Sequence, residues 1–173
     1  KDLATHDIDL TSWVTGRAYS SVAARTVTKS GRPHEDMLSA VCQLTGGVIA
    51  NHLVNWLSPF KERSTVVTGE HGSFIADTLT ADLTFYANGV TASEWEAVRA
   101  FRGVAEGDMT RFAIAKREPL LVEHERCRDA VLGKDSDIVT LAEGLRTVQV
   151  AEAMLQSAAA GTTVATDVVE PSR

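Results

Sequence analysis

The sequence has few cysteine, proline and aromatic residues and no long apolar run. Its 173 residues include two cysteines, Cys42 and Cys127, four prolines and 6% aromatic residues. Two cysteines do not make the disulfide framework of a small secreted domain, so both are predicted to be buried thiols of a cytoplasmic protein. No apolar stretch approaches the roughly 20 residues that a membrane-spanning helix needs. Acidic residues interrupt the first ten positions, so this segment does not resemble a signal peptide.

Concentrated positive charge is also missing. The chain has 17 basic and 23 acidic residues, a net charge of -6, and no block of lysine or arginine. Nucleic acids and anionic membranes both attract proteins through concentrated positive charge, so neither is an expected partner. The hydrophobic share of 44% is that of a globular protein. A chain of this length buries roughly 70% of its unfolded surface, which predicts one soluble domain.

The hydrophobic period changes along the chain. Apolar residues at helical spacing, with Gly16 at the position of a left-handed cap, predict a helix from about Thr5 to Thr15. From Arg17 to about Tyr86 the period is two and β-branched residues accumulate. This pattern predicts six strands: Tyr19–Thr28, Met37–Thr45, Val48–Leu57, Ser64–Thr68, Ser73–Leu79 and Asp82–Tyr86.

The connections between these strands are short. Gly46-Gly47 suits a primed hairpin turn, residues 69–72 offer a second reversal, and Asn88-Gly89 ends the last strand. Parallel neighbours would need a crossover of a dozen residues or more, so the strands are predicted to be antiparallel. Arg102 to Asp108 has no clear period and is predicted to be a loop, either a substrate-contacting lid or an ordinary surface connection.

Two helices are predicted after the sheet. Pro119 suits a first helical position, and Gly133 ends this helix. Thr140 and Glu143 form a capping box that opens a second helix, which ends before Gly161. The apolar stripe of that helix is predicted to cover the sheet and consists of Leu141, Leu145, Val148, Ala151, Leu155 and Ala158. The fold class is therefore α+β, with a predominantly antiparallel open sheet of about six strands and helices on one face.

The strand Val48–Leu57 has no purely polar face. Val48, His52 and Val54 share one side, while Ile49 and Leu53 share the other. A strand that is apolar on both sides predicts that the outer face is also covered. Either a second subunit or a substrate could cover it.

The densest polar constellation lies in the first helix. Asp2 and His6 are four residues apart and Asp9 is three further on, so both carboxylates flank the imidazole on one helix face. Such a carboxylate raises the basicity of the imidazole, as a general base acting on a hydroxyl requires. Capping and the helix dipole explain the same residues without function. His6-Asp7 also matches the pair of metal-dependent phosphohydrolases, but His34, His52 and His71 fall in or beside predicted strands. No Gly-x-Ser-x-Gly elbow indicates a serine hydrolase.

The motif Asp2-x-x-x-His6-x-x-Asp9 resembles the catalytic helix of the glucose-fructose oxidoreductase and inositol dehydrogenase (Gfo/Idh/MocA) family. The resemblance extends from about Asp2 to Gly161 and follows that family's C-terminal domain. It rests on further landmarks in the expected order: Glu35-Asp36, Gly46-Gly47, Trp56-Leu57-Ser58-Pro59, Val67-Thr68-Gly69-Glu70-His71-Gly72 and Lys116-Arg117-Glu118-Pro119-Leu120.

The resemblance implies a two-domain oxidoreductase that uses NAD or NADP. Residues 1–173 would form its C-terminal substrate-binding and oligomerisation domain, and a Rossmann domain absent from this chain would hold the cofactor. Family chemistry transfers a hydride from a hydroxyl-bearing carbon of a sugar, cyclitol or sugar derivative to nicotinamide. His6 would be the acid/base and Asp2 would orient it and the substrate. The sheet face would form a homo-oligomer.

Departures from the family pattern indicate that the chain alone is inert. No Gly-x-Gly-x-x-Gly follows a strand, so a pyrophosphate has no backbone cradle here. The Glu-Lys-Pro segment that supplies the family's catalytic lysine is also missing, and Ala4 replaces the usual glycine. No residue is therefore assigned to cofactor or metal binding. The alternative function is a non-catalytic binding or oligomerisation module that uses the same sheet.

Three further side chains are predicted to be mainly structural. Trp13 and Trp56 lie on apolar faces and are expected in the core rather than as platforms for a sugar ring. His124 lies between apolar positions of its helix and is expected to be partly buried and hydrogen-bonded.

Overall fold

The computed structural model describes residues 2–89, 105–134 and 136–167. The helices in this part are α1 (Asp2–Thr15), α2 (Pro119–Val131) and α3 (Leu141–Ala160). The strands are β1 (Tyr19–Val27), β2 (Met37–Leu44), β3 (Ile49–Asn55), β4 (Ser64–Gly69), β5 (Gly72–Asp77), β6 (Asp82–Gly89), β7 (Ala105–Phe112) and β8 (Val164–Ala165). All strand pairs among them are antiparallel, which confirms the α+β class.

The strands are divided between two four-stranded sheets. One has the order β3-β2-β1-β8 and the other the order β4-β5-β6-β7. The six predicted strands correspond to β1 to β6, with ends that agree to within a few residues. The predicted Gly46-Gly47 reversal is a short 3-10 turn in which both glycines have positive φ, 71° and 80°, as a primed turn requires.

Two strands were not predicted. β7 begins at Ala105, inside the segment that the sequence indicated as a loop, and pairs with β6. β8 has two residues and pairs with β1 at Ser21 and Val22. Neither has a strong strand signal, since Gly107 and Asp108 disfavour a strand and two residues have no period. Both strands therefore form because they pair with a neighbouring strand, β7 with β6 and β8 with β1, and not because of their own sequence pattern.

The chain forms two compact units. The described residues of Lys1–Pro59 and Ala130–Arg173 make the first unit, and those of Phe60–Asp129 make the second. The first unit therefore contains α1, β1 to β3, α3 and β8. The second contains β4 to β7 and nearly all of α2.

The first unit buries one face of its sheet beneath α1 and α3. Strands β1 to β3 contribute small and medium side chains to this core, and the helices contribute Ala4, Ile8, Val150 and Met154. The side chains from the sheet are Tyr19, Val22, Ala24, Leu38, Ala40, Cys42, Leu44 and Val54. The alternation predicted for β3 is confirmed at His52 and Val54, which are buried, and at Ile49 and Leu53, which are exposed.

Helix α3 confirms half of its predicted apolar stripe, because Ala151 is buried and Leu155 and Ala158 are partly buried against the core. Its buried residues are Glu143, Val150, Ala151, Ala153, Met154 and Ser157. Leu141, Leu145 and Val148 are instead 95%, 60% and 46% exposed. Three of the six buried residues, Ala151, Ala153 and Ser157, have small side chains, which let this stretch of the helix lie close to the sheet. The predicted Thr140–Glu143 capping box and the Gly161 cap are confirmed.

Ser157 ties α3 to the edge of β1. Its hydroxyl accepts a hydrogen bond from the backbone N–H of Ala24 at 2.9 Å and donates one to the carbonyl of Thr162 at 2.6 Å. Strand β8 pairs with β1 only at Ser21 and Val22. The N–H of Ala24 lies further along the same edge of β1, and the Ser157 hydroxyl accepts its hydrogen bond in place of a strand.

The described residues of the second unit form no core comparable to that of the first. None of its described apolar side chains is fully buried, and Val66, Met109 and Leu120 are 61%, 62% and 61% exposed. Phe74 contacts Phe85 and Phe112, with ring centroids 4.6 and 6.3 Å apart. In the part of the chain that the structure describes, no helix is long and apolar enough to cross a membrane.

Replacing Ser157 by Ala is expected to lower the free energy of unfolding by about 1–3 kcal/mol, because it leaves a buried N–H and a carbonyl without partners. Urea unfolding followed by circular dichroism measures the change. Ser39→Ala, on the exposed face of β2, is the matched control and should be nearly neutral. Equal stability of the two variants would contradict the role of Ser157.

Candidate active site on the first helix

Helix α1 carries both predicted catalytic residues. The helix ends at Thr15 and is followed by Gly16, whose φ is 61°. The N–H of Gly16 donates a hydrogen bond to the carbonyl of Ser12 at 2.9 Å. Ala4 and Ile8 are 4% and 1% exposed and fix the side of α1 that faces the sheet. The opposite side of the helix is therefore presented outward.

His6 lies on the outward side and is exposed. Asp9 is partly buried and follows His6 by three residues on adjoining helix positions. Asp2 begins α1 four residues before His6, but its side chain lies outside the described part of the structure. The described backbone thus brings His6 and Asp9 to one side of α1 and places Asp2 one turn before His6. An exposed imidazole beside carboxylate positions can exchange a proton with a bound hydroxyl.

A buried polar pair lies beneath α1. The hydroxyl of Tyr19 on β1 lies 2.9 Å from Nε2 of His52 on β3 and 3.5 Å from the carbonyl of Ile8 on α1. The phenol therefore connects the helix to two strands of the sheet.

Burial decides the protonation states of this pair. Desolvation raises the pKa of Tyr19 far above its ordinary value and lowers the pKa of His52. Both groups are consequently neutral near pH 7, and the tautomer of the His52 imidazole decides whether the phenol donates or accepts the hydrogen bond between them. The sequence analysis did not single out Tyr19 or His52. A histidine on the apolar face of a strand was the available signal, because a buried polar ring needs a partner.

The carboxylate of Asp36 orders the connection between β1 and β2 through several hydrogen bonds. Its carboxylate accepts hydrogen bonds from the hydroxyl of Ser30 at 2.6 Å, the backbone N–H groups of Lys29 and Ser30 at 2.7 Å, and the guanidinium of Arg32 at 2.6 Å. These donors, led by the Ser30 hydroxyl, hold the pKa of Asp36 well below its usual range. Arg32 also lies 5.8 Å from the ring of Trp56. The landmark Asp36 therefore has a structural role.

Several predicted side chains lie elsewhere than expected. Trp13 and Trp56 are 54% and 49% exposed, so their assignment to the core was wrong: each lies on the outer side or at the end of its element. His124 is exposed on α2, a helix with no buried residue among those described. Cys42 is buried and Cys127 exposed, so the prediction of two buried thiols was half right. Among the described residues, no three histidine, cysteine or acidic side chains converge to hold a metal ion.

The sequence matches one protein family over most of its length. Residues 1–166 match the C-terminal alpha/beta domain of an oxidoreductase family, Gfo/Idh/MocA. The chain therefore belongs to this family, as the motif on α1 and the later landmarks predicted. A comparison with curated protein sequences gives no significant match.

Solved structures share the fold. UDP-N-acetylglucosamine 3-dehydrogenase GnnA from Acidithiobacillus ferrooxidans is 22% identical, with a TM-score of 0.74 over 91% of this chain and 46% of that one. WlbA dehydrogenase from Bordetella pertussis, in complex with NADH and UDP-GlcNAcA, is 22% identical, with a TM-score of 0.65 over 96% and 44%. Levoglucosan dehydrogenase, in complex with NADH and levoglucosan, is 16% identical, with a TM-score of 0.78 over 98% and 50%. The chain thus spans about half the length of these structures.

The buried His52 is expected to make stability depend on pH. Its pKa is lowered in the folded protein, whereas the unfolded chain binds a proton near pH 6.5. The free energy of unfolding should therefore fall as the pH drops below about 6.5, towards the lowered pKa of His52. Urea midpoints at pH 7.5 and 5.5 measure this loss.

The matched variants are His52→Asn and His34→Asn. His52→Asn should unfold at lower urea at pH 7.5 but lose less stability between the two pH values than the parent chain. His34 is exposed in the β1–β2 connection, so its variant should keep the parent's pH dependence. The same pH dependence in all three proteins would show that His52 is not the group responsible.

Proposed function

We propose that this chain is the substrate-binding and oligomer-forming C-terminal domain of an oxidoreductase that uses NAD or NADP. The whole protein would transfer a hydride between nicotinamide and a hydroxyl-bearing carbon of a sugar, cyclitol or sugar derivative. His6 is the proposed acid/base, and Asp2 is proposed to orient it and the substrate. The observation that carries this proposal is an exposed His6 on the outward side of α1, within a chain that belongs to this oxidoreductase family.

The similar structures support the cofactor and the substrate class. Two of them are dehydrogenase complexes with NADH and a sugar derivative, UDP-GlcNAcA or levoglucosan. Every strand pair in the described residues is antiparallel, so this part has no βαβ unit that could hold a dinucleotide pyrophosphate. A further domain of a longer protein is therefore proposed to bind the cofactor, and the 173-residue chain is proposed to be inert alone.

The residues of α1 fit the proton-transfer half of this reaction. A bound nicotinamide would supply the hydride acceptor, so the oxidised carbon loses a hydride and its hydroxyl loses a proton. His6 takes that proton and returns it in the reverse direction. A carboxylate at Asp2, one turn before His6, favours the protonated imidazole that forms. Because Ala4 and Ile8 anchor the inner side of α1, His6 keeps its outward direction while it exchanges the proton.

The uncovered face of the first sheet supports the proposed homo-oligomer. Val41, Ile49 and Leu53 are 55%, 68% and 69% exposed and lie together on the outer face of β2 and β3. Contiguous apolar surface of this kind marks interfaces. The proposed compartment is the cytoplasm, where both free cysteines, Cys42 and Cys127, would stay reduced.

His6→Ala in the longer protein is expected to lower kcat by about 10²- to 10⁴-fold, the contribution of a general acid or base. Asp2→Asn should lower kcat by less, since it removes an orienting charge and leaves the imidazole. Absorbance of the reduced nicotinamide measures turnover with NAD or NADP and a panel of polyols and sugar nucleotides. His34→Ala is the control and should keep full activity.

The same assay separates the enzyme from a non-catalytic module. The 173-residue chain should give no turnover with any member of the panel. Turnover by this chain alone would contradict the proposed inertness. A longer protein that loses neither activity nor assembly on His6→Ala would favour the binding module instead.

The 173-residue chain is expected to be a dimer or larger in solution. Light scattering should give at least twice the chain mass of 18.6 kDa. Leu53→Glu places a charge on the exposed face that Leu53 shares with Val41 and Ile49 and should shift the mass towards the monomer. Lys61→Glu, in the exposed segment after β3, controls for added negative charge and should not. A strict monomer at high concentration of the parent chain would contradict the proposed interface.

A further inference from the structure

Helix α3 leaves an apolar face uncovered in its first half. Leu141, Leu145 and Val148 are spaced by four and three residues, so they lie on one side of the helix. All three side chains are exposed, and the buried residues of α3 face the sheet from the other side. Apolar side chains that lie together on a surface mark a place where further protein packs. We refer to these three residues as the exposed α3 stripe.

A cavity of about 190 Å³ in the first unit lies beside this stripe. Residues of α1, α3 and the segment around β8 line it, among them Ser12, Arg146 and Gln149. Arg146 and Gln149 directly follow Leu145 and Val148 in the chain, and successive residues of an α-helix are about 100° apart around its axis. The cavity and the exposed α3 stripe are therefore neighbouring parts of one surface.

Arg146 gives this surface an unmet hydrogen-bonding requirement. Its Nη2 atom is buried and has no hydrogen-bond partner, the one such side-chain atom among the described residues. Buried donors almost always have an acceptor, and a donor without one lowers stability. A single acceptor oxygen placed at the cavity would satisfy Nη2.

This requirement favours a protein segment as the occupant. A backbone carbonyl is a neutral acceptor that needs only one donor, whereas a carboxylate commonly takes two donors of a guanidinium at once. The same segment would cover the exposed α3 stripe with apolar side chains. Protein interfaces combine an apolar centre with a few hydrogen bonds in this way.

The length of the similar structures indicates where such a segment belongs. The chain covers 46%, 44% and 50% of the three structures compared above, and its family match is a C-terminal domain. The proposed function therefore places a cofactor-binding domain before α1 in the longer protein. Helix α1 lines the cavity as far as Ser12, about 15 Å along its axis from Asp2. A domain joined to the start of α1 is thus within reach of the cavity.

We propose that the exposed α3 stripe and the cavity are the docking surface for this cofactor-binding domain. The domain places a backbone carbonyl against Nη2 of Arg146 and apolar side chains against Leu145 and Val148. The proposal rests on the proposed function for the presence of the further domain. Because α1 packs on α3, a domain docked there is held beside the helix that carries His6.

Hydrogen exchange of the α3 amides, compared between the longer protein and the 173-residue chain, tests the docking surface. The amides of residues 144–149 should exchange at least tenfold more slowly in the longer protein, because the docked domain suppresses opening of this part of the helix. Leu145→Gln should remove most of that difference. Leu120→Gln on α2 replaces a leucine of nearly the same exposure and, as the matched control, should leave the exchange of α3 unchanged.

Arg146→Met tests the missing acceptor. In the 173-residue chain its urea midpoint should equal or exceed that of the parent, because an unpaired buried donor is removed while the apolar stem is kept. In the longer protein the exchange of residues 144–149 should become at least fivefold faster, because the docked carbonyl loses its donor. Arg128→Met on exposed α2 is the control and should change neither quantity. Leu145→Gln, at an exposed position, keeps the test decisive if Arg146→Met does not fold.

Three outcomes would overturn the proposal. Equal exchange of α3 in the two proteins would show that no further domain covers it. Protection that grows with the concentration of the 173-residue chain would assign the surface to a second copy. A urea midpoint lowered by Arg146→Met in the 173-residue chain would show that water already satisfies Nη2. None of these measurements uses turnover, so slow exchange of α3 in an inactive longer protein would refute the proposed activity and support the docking surface.

Discussion

The attachment of α1 to the first sheet is the constraint on which the candidate site depends. Ala4 and Ile8 are buried against the sheet, and the phenol oxygen of Tyr19 lies 3.5 Å from the carbonyl of Ile8. A helix fixed along one side cannot rotate about its axis without exposing apolar surface. The direction of His6 is therefore a consequence of packing on the opposite side of the helix.

The polar pair under α1 adds directionality to this attachment. Apolar contacts resist separation but tolerate small sliding, whereas a hydrogen bond of 2.9 Å between Tyr19 and His52 has a defined geometry. Burying two such polar groups is unfavourable unless they pair with each other. The pair is therefore retained at a cost in desolvation. It sets the helix register relative to β1 and β3 in a way that apolar residues alone would not.

Local patterns were enough to predict most of the first unit. Gly16, the alternation along β3 and the Thr140–Glu143 box each act within a few residues, so they are readable without the fold. The buried face of α3 was readable only in its second half, because Leu141 and Leu145 are exposed although their hydrophobicity predicted burial.

The candidate site divides in the same way. His6 and its flanking carboxylates share one helix, so their spacing alone predicted their side of α1. Tyr19 and His52 are 33 positions apart in the sequence. Asp9 and Arg146 both line a cavity of about 190 Å³ in the first unit, and only the packing of α1 on α3 brings them there. No window of sequence contains either relation. Sequence patterns therefore identify the reactive group, while the fold alone reveals what supports it.

The described residues of the two units differ in how much apolar surface they bury. The first has a core shared by its sheet and two helices, whereas the second buries no described apolar side chain fully and leaves Val66 and Met109 largely exposed. Apolar surface also remains uncovered on β2, β3 and α3 of the first unit. Exposed apolar side chains that lie together mark interaction surfaces, so these described faces are where the proposed oligomer and the proposed further domain would place their contacts.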